Sequence, residues 1–591
     1  MCGIVCYLGS ERKTAYLIDK LKRLEYRGYD SAGYSSLIKN AFYTQKVVGK
    51  LENLEKLIKN DEKSTCLISH TRWATHGECN KINAHPHLSK NNFWAVVHNG
   101  IIENYISIKK QLKNQPQSTT DTAVVAELLE ERNPKSLEEF VDVFKEIKGS
   151  YALVALSKNE DNTMYFAKNK SPMFIGVSGE DFMIASDPIC FSGFAKEYII
   201  VEDGEFGIIK NKKILILNSK KIQIKKQIQK LEIEFENSSK AGYLHFMLKE
   251  IMEEAGALEN QVKTFLSRKI LKPFSKSFID EFDRIVFVGC GTAYHAGLMG
   301  THYVKEILQK NADAYISSEF LCEKDTFLDK KALYIFISQS GETADTLLAL
   351  EKVKKLKIPT IALTNVMYST ISRRADYVLP TCAGKEIAVA STKAYICQLS
   401  AIYMFCKNAK YEYFDEKNAC YFEINNISKK INNFDREKIK NLAHLISTKH
   451  ECVFIGKALD YVTSLECSLK LKEVSYINSC AYPSGELKHG YLAMITKETP
   501  LFAFATNEKF NLKTISSAEE ALARGAMVFV ITNSKEFANS NQNVIYIDEQ
   551  NSLLSPLLAS SVMQYLAYNV SINKNLNPDM PRNLAKSVTV E

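Results

Sequence analysis

No apolar run in this sequence approaches the length needed to cross a bilayer, which excludes a helical membrane protein. A single residue precedes Cys2, too little for a signal peptide or lipoprotein leader, so a cytoplasmic location is expected. There is no C-x-x-C pair among the fourteen cysteines. A chain this large needs no disulfide staples, and most of these thiols are expected to be reduced and buried. Strong charge of one sign is missing too. The 76 basic and 68 acidic residues leave +8, and the lysines lie scattered among asparagines and isoleucines. That pattern argues against nucleic-acid binding. His70, His76, His85, His87 and His98 fall within 29 residues (70 to 98), but no cysteine or carboxylate pattern completes a ligand set, and no metal is expected.

What is present is a globular balance. The 591 residues are 46% hydrophobic and 24% charged, enough for about three to four domains. The most informative stretch is the first, Cys2-Gly3-Ile4. If Met1 is removed, one residue carries both a thiol and a free α-amine. The reference pKa of that amine, about 7.7–8.0, leaves part of it neutral near pH 7 as a base. A cysteine at position 2 alone would mean little; the next 120 residues give it company.

Cys2 to Leu8 reads as a strand, and Thr14 to Glu25 as a helix with Leu17, Ile18, Leu21 and Leu24 on one face. Arg27 to Gly33 is glycine-rich and reads as a loop. Cys66 to His70 is a buried strand running into Thr71-Arg72-Trp73-Ala74-Thr75-His76-Gly77. Phe93 to Val97 is another, expected to end on His98-Asn99-Gly100, and Asp121 is the expected N-cap of a helix. Polar groups at strand ends are where sites are built. Asn99 offers an amide NH₂ and Gly100 a close backbone approach, a pair able to hold an oxyanion. Arg72 can grip a carboxylate and Asp121 an ammonium, which together would clamp an α-amino acid.

These stretches (C-G-I-V, L-E-Y-R-G-Y-D-S-A-G, H-T-R-W-A-T-H-G, N-A-H-P-H, V-H-N-G-I-I-E-N, T-T-D-T) resemble the glutaminase domain of the class II amidotransferases, an N-terminal-nucleophile fold. The resemblance implies that Cys2 is nucleophile and base, that Asn99 and Gly100 form the oxyanion hole, and that Arg72, Thr75, His76 and Asp121 bind glutamine. Cys6 stands where that family usually has glycine, and is expected to be buried.

After Leu217 the chain is lysine-rich and alternating, read as an edge hairpin and then a linker, with a helix opening at Gly242. A repeat follows. Ile285-Val-Phe-Val-Gly289 matches Cys452-Val-Phe-Ile-Gly456 at an offset of 167 (452 minus 285), and Tyr334–Ile337 matches Leu501–Phe504 at the same offset. Thr364-Asn365 matches Thr532-Asn533 at 168, and Asp376–Leu379 matches Asn543–Tyr546 at 167. Four apolar strands in register with helical sequence between them predict two similar parallel sheets, each covered on both faces. The copies differ chemically. Ser338-Gln339-Ser340-Gly341-Glu342-Thr343 sets hydroxyls, an amide and a glycine at a helix start, where backbone N–H groups favour a phosphate. Ala505 to Lys509 lacks most of these, and Cys290-Gly-Thr292 is a second such turn found only in the first copy.

This half resembles the sugar isomerase domain pair through V-G-C-G-T, S-Q-S-G-E-T, A-S-T-K-A, L-K-L-K-E-V-S-Y-I, G-E-L-K-H-G and P-R-N-L-A-K-S-V-T-V-E. The whole chain resembles the isomerising glutamine–fructose-6-phosphate aminotransferases, the entry point of amino-sugar synthesis. The expected architecture is a multidomain α/β and α+β chain: a glutaminase sandwich at 1–225, a linker at 226–245, doubly wound sugar isomerase domains at 246–430 and 431–575, and a catalytic tail at 576–591. Lys470 and Glu473, three apart in a helical pattern with apolar flanks, share a face. By resemblance Glu473 moves a proton beside the carbonyl, His489 opens the sugar ring and Lys586 forms a Schiff base. Thr292, Ser338, Gln339, Ser340 and Thr343 hold the phosphate, Ser391 the sugar hydroxyls, and Val389 joins the sugar-binding set. Glutamine and fructose 6-phosphate are the implied substrates, with no cofactor, an ammonia passage between the two reactions, and a homodimer in which His489 is lent across the interface. Two rivals remain: another class II amidotransferase, and a non-catalytic phosphosugar sensor.

Overall fold

The structure, a computed structural model, describes residues 2–73, 77–231, 240–411, 419–540 and 543–589. The chain divides into two compact units, Met1–Ser238 with Ser587–Glu591, and Ser239–Lys586.

The first unit is built on two antiparallel sheets of eight and six strands. Along its first strand, Gly3–Lys13, alternate side chains serve different cores, as the two-residue period of a strand requires. Ile4, Cys6 and Leu8 join Val97, Ala152 and Val154 of the other sheet in the layer between the sheets. Val5 and Tyr7 point the other way, into a core closed by the helix Thr14–Lys22. The helices Asp121–Arg132 and Leu137–Phe144 cover the outer face of the six-stranded sheet. The result is a helix–sheet–sheet–helix sandwich, and Cys6 is fully buried in its middle.

Several local expectations need correction. The first helix stops at Lys22. The expected loop at Arg27 to Gly33 is already a strand from Ser31, because Ser31–Ile38 pairs with Lys63–Arg72. The strand Trp94–Ile102 does not end at His98: Asn99 and Gly100 pair with Ala152 and Tyr151, and the ladder of the neighbour carries the chain through. The lysine-rich stretch does turn back on the edge strand Lys213–Asn218, with Leu217 bridged to Gln223 and Ile224 N donating to Ile216 O at 2.9 Å, and further on Ile228–Lys230 pairs with Glu197–Val201 in the other sheet. Residues 232–239 of the expected linker lie outside the described residues, and the next helix begins at Phe246, not Gly242.

The second unit carries two five-stranded parallel sheets with corresponding strand orders. In the first the order is Asn311–Ile316, Arg284–Gly289, Ala332–Ile337, Thr360–Thr364, Tyr377–Pro380. In the second it is Asn478–Pro483, Glu451–Gly456, Pro500–Ala505, Met527–Thr532, Val544–Tyr546. The edge strand of each copy was not foreseen, although Asn311 and Asn478 stand at the same offset of 167. Ile285 and Phe287 of one sheet and Cys452 and Phe454 of the other belong to one continuous core. Their alternates, Val286 with Val288 and Val453 with Ile455, face separate outer cores. The copies therefore share a single interior.

The turn after the first strand also departs from expectation. Gly291 has φ 54°, ψ −125°, and Ala458 at the matching position has φ 57°, ψ −122°. The backbone turn is thus present in both copies, and alanine occupies a conformation that suits glycine. Such strain costs about 1–3 kcal/mol, offset in part by the greater freedom glycine has when unfolded. Ala458→Gly should therefore stabilise the protein by about 1 kcal/mol, read as a raised denaturation midpoint. A lowered midpoint would mean that the strain is absent.

Candidate active sites

In the first unit the register of Gly3 with Thr71 sets Cys2 beside the end of the strand Lys63–Arg72. A Cβ on Gly3 would lie 2.7 Å from Thr71 Oγ1 and 2.8 Å from Leu24 Cβ, so this close approach needs glycine. The Trp73 N–H donates to Cys2 Sγ at 3.3 Å. Burial pushes the thiol above its ordinary pKa against that hydrogen bond and the nearby Arg72 charge, so the thiol keeps its proton at neutral pH and needs a base. Asn99 Nδ2 donates to the Cys2 carbonyl at 3.0 Å. Gly100 has φ 138°, and a Cβ there would sit 2.0 Å from Ser150 O, so no other residue fits.

Arg72 is 4% exposed, with Nη1 3.4 Å from Glu78 O, and both Arg72 and Asp121 lie near enough to act electrostatically on Cys2. Asp121 is the first residue of its helix rather than its cap, and its Oδ2 accepts from Ile102 N at 2.8 Å. Thr75 and His76 lie outside the described residues.

The amide of Asn99 is held by a residue that sequence reasoning treated only as a weak metal candidate. His70 Nε2 lies 3.1 Å from Asn99 Oδ1 and 3.0 Å from His98 O. Two acceptors fix the proton on Nε2, and burial keeps the ring neutral, with its pKa pulled down to about 3. His70 then stacks on His85 at 4.0 Å. The imidazole thus turns the Asn99 NH₂ toward Cys2.

In the second unit, Ser338–Thr343 joins the strand Ala332–Ile337 to the helix Ala344–Lys355. Ser338 Oγ accepts from Gly341 N at 3.0 Å and bonds Thr343 Oγ1 at 2.8 Å, while Ser340 Oγ accepts from Glu342 N at 3.2 Å. Gln339 O accepts from Asn365 N at 3.1 Å. Gly341 has φ 67°, and a Cβ there would lie 2.1 Å from Ser369 Oγ.

Thr292 opens the helix Thr292–Tyr303 and joins the two copies. Its Oγ1 donates to Glu466 at 3.1 Å and accepts from Lys470 Nζ at 3.0 Å. Lys470 in turn pairs with Glu473 at 2.6 Å and Glu466 at 3.4 Å. The side chain of Lys470 is 1% exposed, which removes the reading of an exposed ion pair. Burial works against its charge, but Glu473 and Glu466 outweigh that and hold its pKa above the ordinary value. Lys470 is therefore a fixed cation that positions Glu473, not a base. His295 Nδ1 lies 2.7 Å from the other oxygen of Glu466.

The tail is docked. Asp579 accepts from Phe246 N and Met247 N at 3.0 and 2.8 Å, and its carbonyl accepts from Val389 N at 3.0 Å. Arg582 N donates to Tyr476 Oη at 2.7 Å. Lys586, 4% exposed at its side chain, forms a salt bridge with the fully buried Glu386. Ser391 Oγ donates to the same Glu386 oxygen at 3.2 Å, while Thr392 N and Ala394 N donate to the other at 2.9 and 3.0 Å. Burial pushes Glu386 up, but Lys586 and those N–H groups outweigh it and hold the carboxylate below its ordinary pKa. Glu250 accepts from Ala388 N at 3.3 Å, and burial beside Glu386 pushes it up to about 8. His489 ends the helical turn Ser484–His489 and is exposed, with no hydrogen bond or ion pair to Glu473 or Lys586 among the described residues.

A glutamine amidotransferase domain model matches residues 70–192, and a SIS domain model matches 278–407 and 445–574. The glutamine–fructose-6-phosphate aminotransferase (isomerising) of Fusobacterium nucleatum is 39% identical over 611 residues, covering 100% of both chains. That of Caldanaerobacter subterraneus is 39% identical over 609 residues with the same coverage. The chain belongs to the isomerising glutamine–fructose-6-phosphate aminotransferases. The solved C-terminal domain of glucosamine-fructose-6-phosphate aminotransferase from Francisella tularensis is 33% identical, aligns with a TM-score of 0.53, and covers 58% of this chain and 100% of its own.

In this aminotransferase the structure brings the expected residues Lys470 and Glu473 together, and Ser391 and Lys586 onto one carboxylate; Glu466, Glu386, Glu250 and the role of His70 were not expected from the sequence. Glu466 had a signal, since Glu466, Lys470 and Glu473 fall at i, i+4 and i+7 on one helical face.

Proposed function

We propose that this chain makes glucosamine 6-phosphate from glutamine and fructose 6-phosphate, releasing glutamate. The observation that carries this reading is one chain holding both a cysteine with an amide donor at its carbonyl and a buried Lys470–Glu473–Glu466 cluster with a docked lysine tail.

In the first unit, Cys2 attacks the glutamine amide carbon once Met1 is removed, and its α-amine takes the thiol proton. Asn99 and Gly100 stabilise the oxyanion, while Arg72, Thr75, His76 and Asp121 hold the amino-acid end. Ammonia leaves and must reach the sugar before water protonates it. In the second unit, Ser338, Gln339, Ser340, Thr343 and Thr292 hold the phosphate, and Ser391 with the Val389 backbone lies along the sugar. His489, contributed by the partner of a homodimer, opens the ring. The Lys586 amine adds to the ketose carbonyl, water leaves, and ammonia then displaces the lysine. Glu473 takes the proton from C1 and returns it to C2, while Lys470 keeps its carboxylate in place. We place the enzyme in the cytoplasm and assign it no nucleic-acid or membrane partner.

Glutamate and glucosamine 6-phosphate should appear in equal amounts when both substrates are present. Glutamate without the amino sugar would favour another amidotransferase. Sugar binding with no glutamate would favour a phosphosugar sensor.

A further inference from the structure

The segments that follow the strands Ala332–Ile337 and Pro500–Ala505 occupy the same place in the two isomerase copies, although Gly341 has φ 67° and its counterpart Glu508 is not left-handed, and in the second copy a side chain of the protein occupies the N–H groups. Thr506 and Asn507 are the counterparts of Gln339 and Ser340 at the offset of 167. Their N–H groups donate to Asp460 Oδ2 at 2.9 and 3.2 Å, and Thr506 Oγ1 donates to Oδ1 at 2.5 Å. Asp460 is 2% exposed, and no cation pairs with it among the described residues. A buried carboxylate held only by N–H and O–H dipoles is held as an oxyanion ligand would be. Burial pushes it up to about 6 against those donors, so it is charged at neutral pH.

The counterpart of Asp460 in the first copy is Ala293, which has no acceptor to offer (460 minus 293 is 167). Both are the second residue of their helix, Leu459–Ser475 and Thr292–Tyr303. Both helices are entered through the same turn, at Ala458 and Gly291. Each segment is also tied down in a parallel way. Asn365 N donates to Gln339 O at 3.1 Å, and Asn533 Nδ2 donates to Thr506 O at 3.0 Å.

We propose that Asp460 is a built-in substitute for the sugar phosphate, filling the anion cradle of the second copy so that each chain binds one sugar phosphate, in the first copy alone. The proposal rests on the reading of Ser338–Thr343 as the phosphate-binding segment. A phosphate reaching Thr506 and Asn507 would find their N–H groups engaged and a fixed negative charge in its place.

Exchanging the two residues tests this. Equilibrium dialysis should give one fructose 6-phosphate per wild-type chain. Ala293→Asp should weaken that binding by about a hundredfold or more, because it installs the charge in the first copy. Ala293→Asn, of the same size but neutral, should weaken it less than about tenfold, which separates charge from bulk. Asp460→Ala gives the second copy the first copy's residue. It should lower the melting temperature in chloride buffer, and inorganic phosphate should restore it by more than it raises the wild type. Asp460→Asn, which keeps two of the three acceptor contacts, should show a smaller phosphate response.

Two equivalents of sugar per wild-type chain would overturn the proposal. So would unchanged affinity in Ala293→Asp, or a phosphate response in Asp460→Ala no larger than the wild type's. Failure of the underlying reading looks different: Ser340→Asp would then leave fructose 6-phosphate binding intact, whereas the phosphate response of Asp460→Ala reports the second copy by itself.

Discussion

Borohydride added to the enzyme with fructose 6-phosphate and no glutamine should leave a reduced sugar adduct on Lys586. Lys586→Met should carry no adduct and lose amino-sugar synthesis by about four orders of magnitude or more, as expected when a covalent nucleophile is removed. Lys586→Arg should not rescue it, because a guanidinium does not give up its proton. Two other buried lysines compete for the assignment. Lys470 is locked as a cation between two carboxylates, and Lys393 is bound to Glu253 at 2.7 Å. Lys586 differs in standing on a segment with no helix or strand, held at Asp579 and Arg582, and paired with a carboxylate that also receives Ser391. Adduct on Lys470 or Lys393, found by peptide mapping, would sink the assignment.

Cys2→Ala should lower glutamine hydrolysis by about four orders of magnitude or more, because the attacking atom is gone. The same variant should still convert fructose 6-phosphate to glucose 6-phosphate within about twofold of the wild type, since no part of Glu473, Lys470 or Lys586 depends on the thiol. Its side chain is small and Gly3 beside it is unaltered, so its thermal stability should stay near that of the parent. Loss of isomerisation in the folded variant would show that the two chemistries are not divided between the units. Activity of Cys2→Ala toward glutamine would move the nucleophile elsewhere.

The four strands of the repeat could be read from the sequence because parallel strands buried on both faces are nearly continuous apolar runs. The edge strand Asn311–Ile316 could not, because half of its residues are only partly buried and its composition is mixed. Its partner Asn478–Pro483 repeats Ala314 as Ala481 and Tyr315 as Tyr482, a signal that only the known register makes visible. At the glutaminase site the reading of His98, Asn99 and Gly100 as a strand end failed for a similar reason. A glycine looks like a strand end until the neighbouring ladder is known, and here that ladder runs on to Ile102. The supporting groups were the least legible. Glu386 meets Lys586 from 200 residues away, and Glu466 meets Thr292 from 174. No local pattern encodes such meetings. The one local pattern is the spacing of Glu466 with Lys470 and Glu473 on a single helical face.

Asp579 holds the first turn of the helix Phe246–Met252 across 333 residues of chain. On a ribosome this means that the helix is made early and receives its clasp almost last. The amino-terminal unit, apart from residues 587–591 that join it from the far end of the chain, can fold while the rest is still being synthesised. The sugar-converting unit cannot, because Asp579 and Lys586 arrive only as translation ends. A message cut short near its stop codon would thus yield a product whose glutamine-splitting half lacks only its last few residues and whose partner is unclasped, one that wastes glutamine and makes no amino sugar.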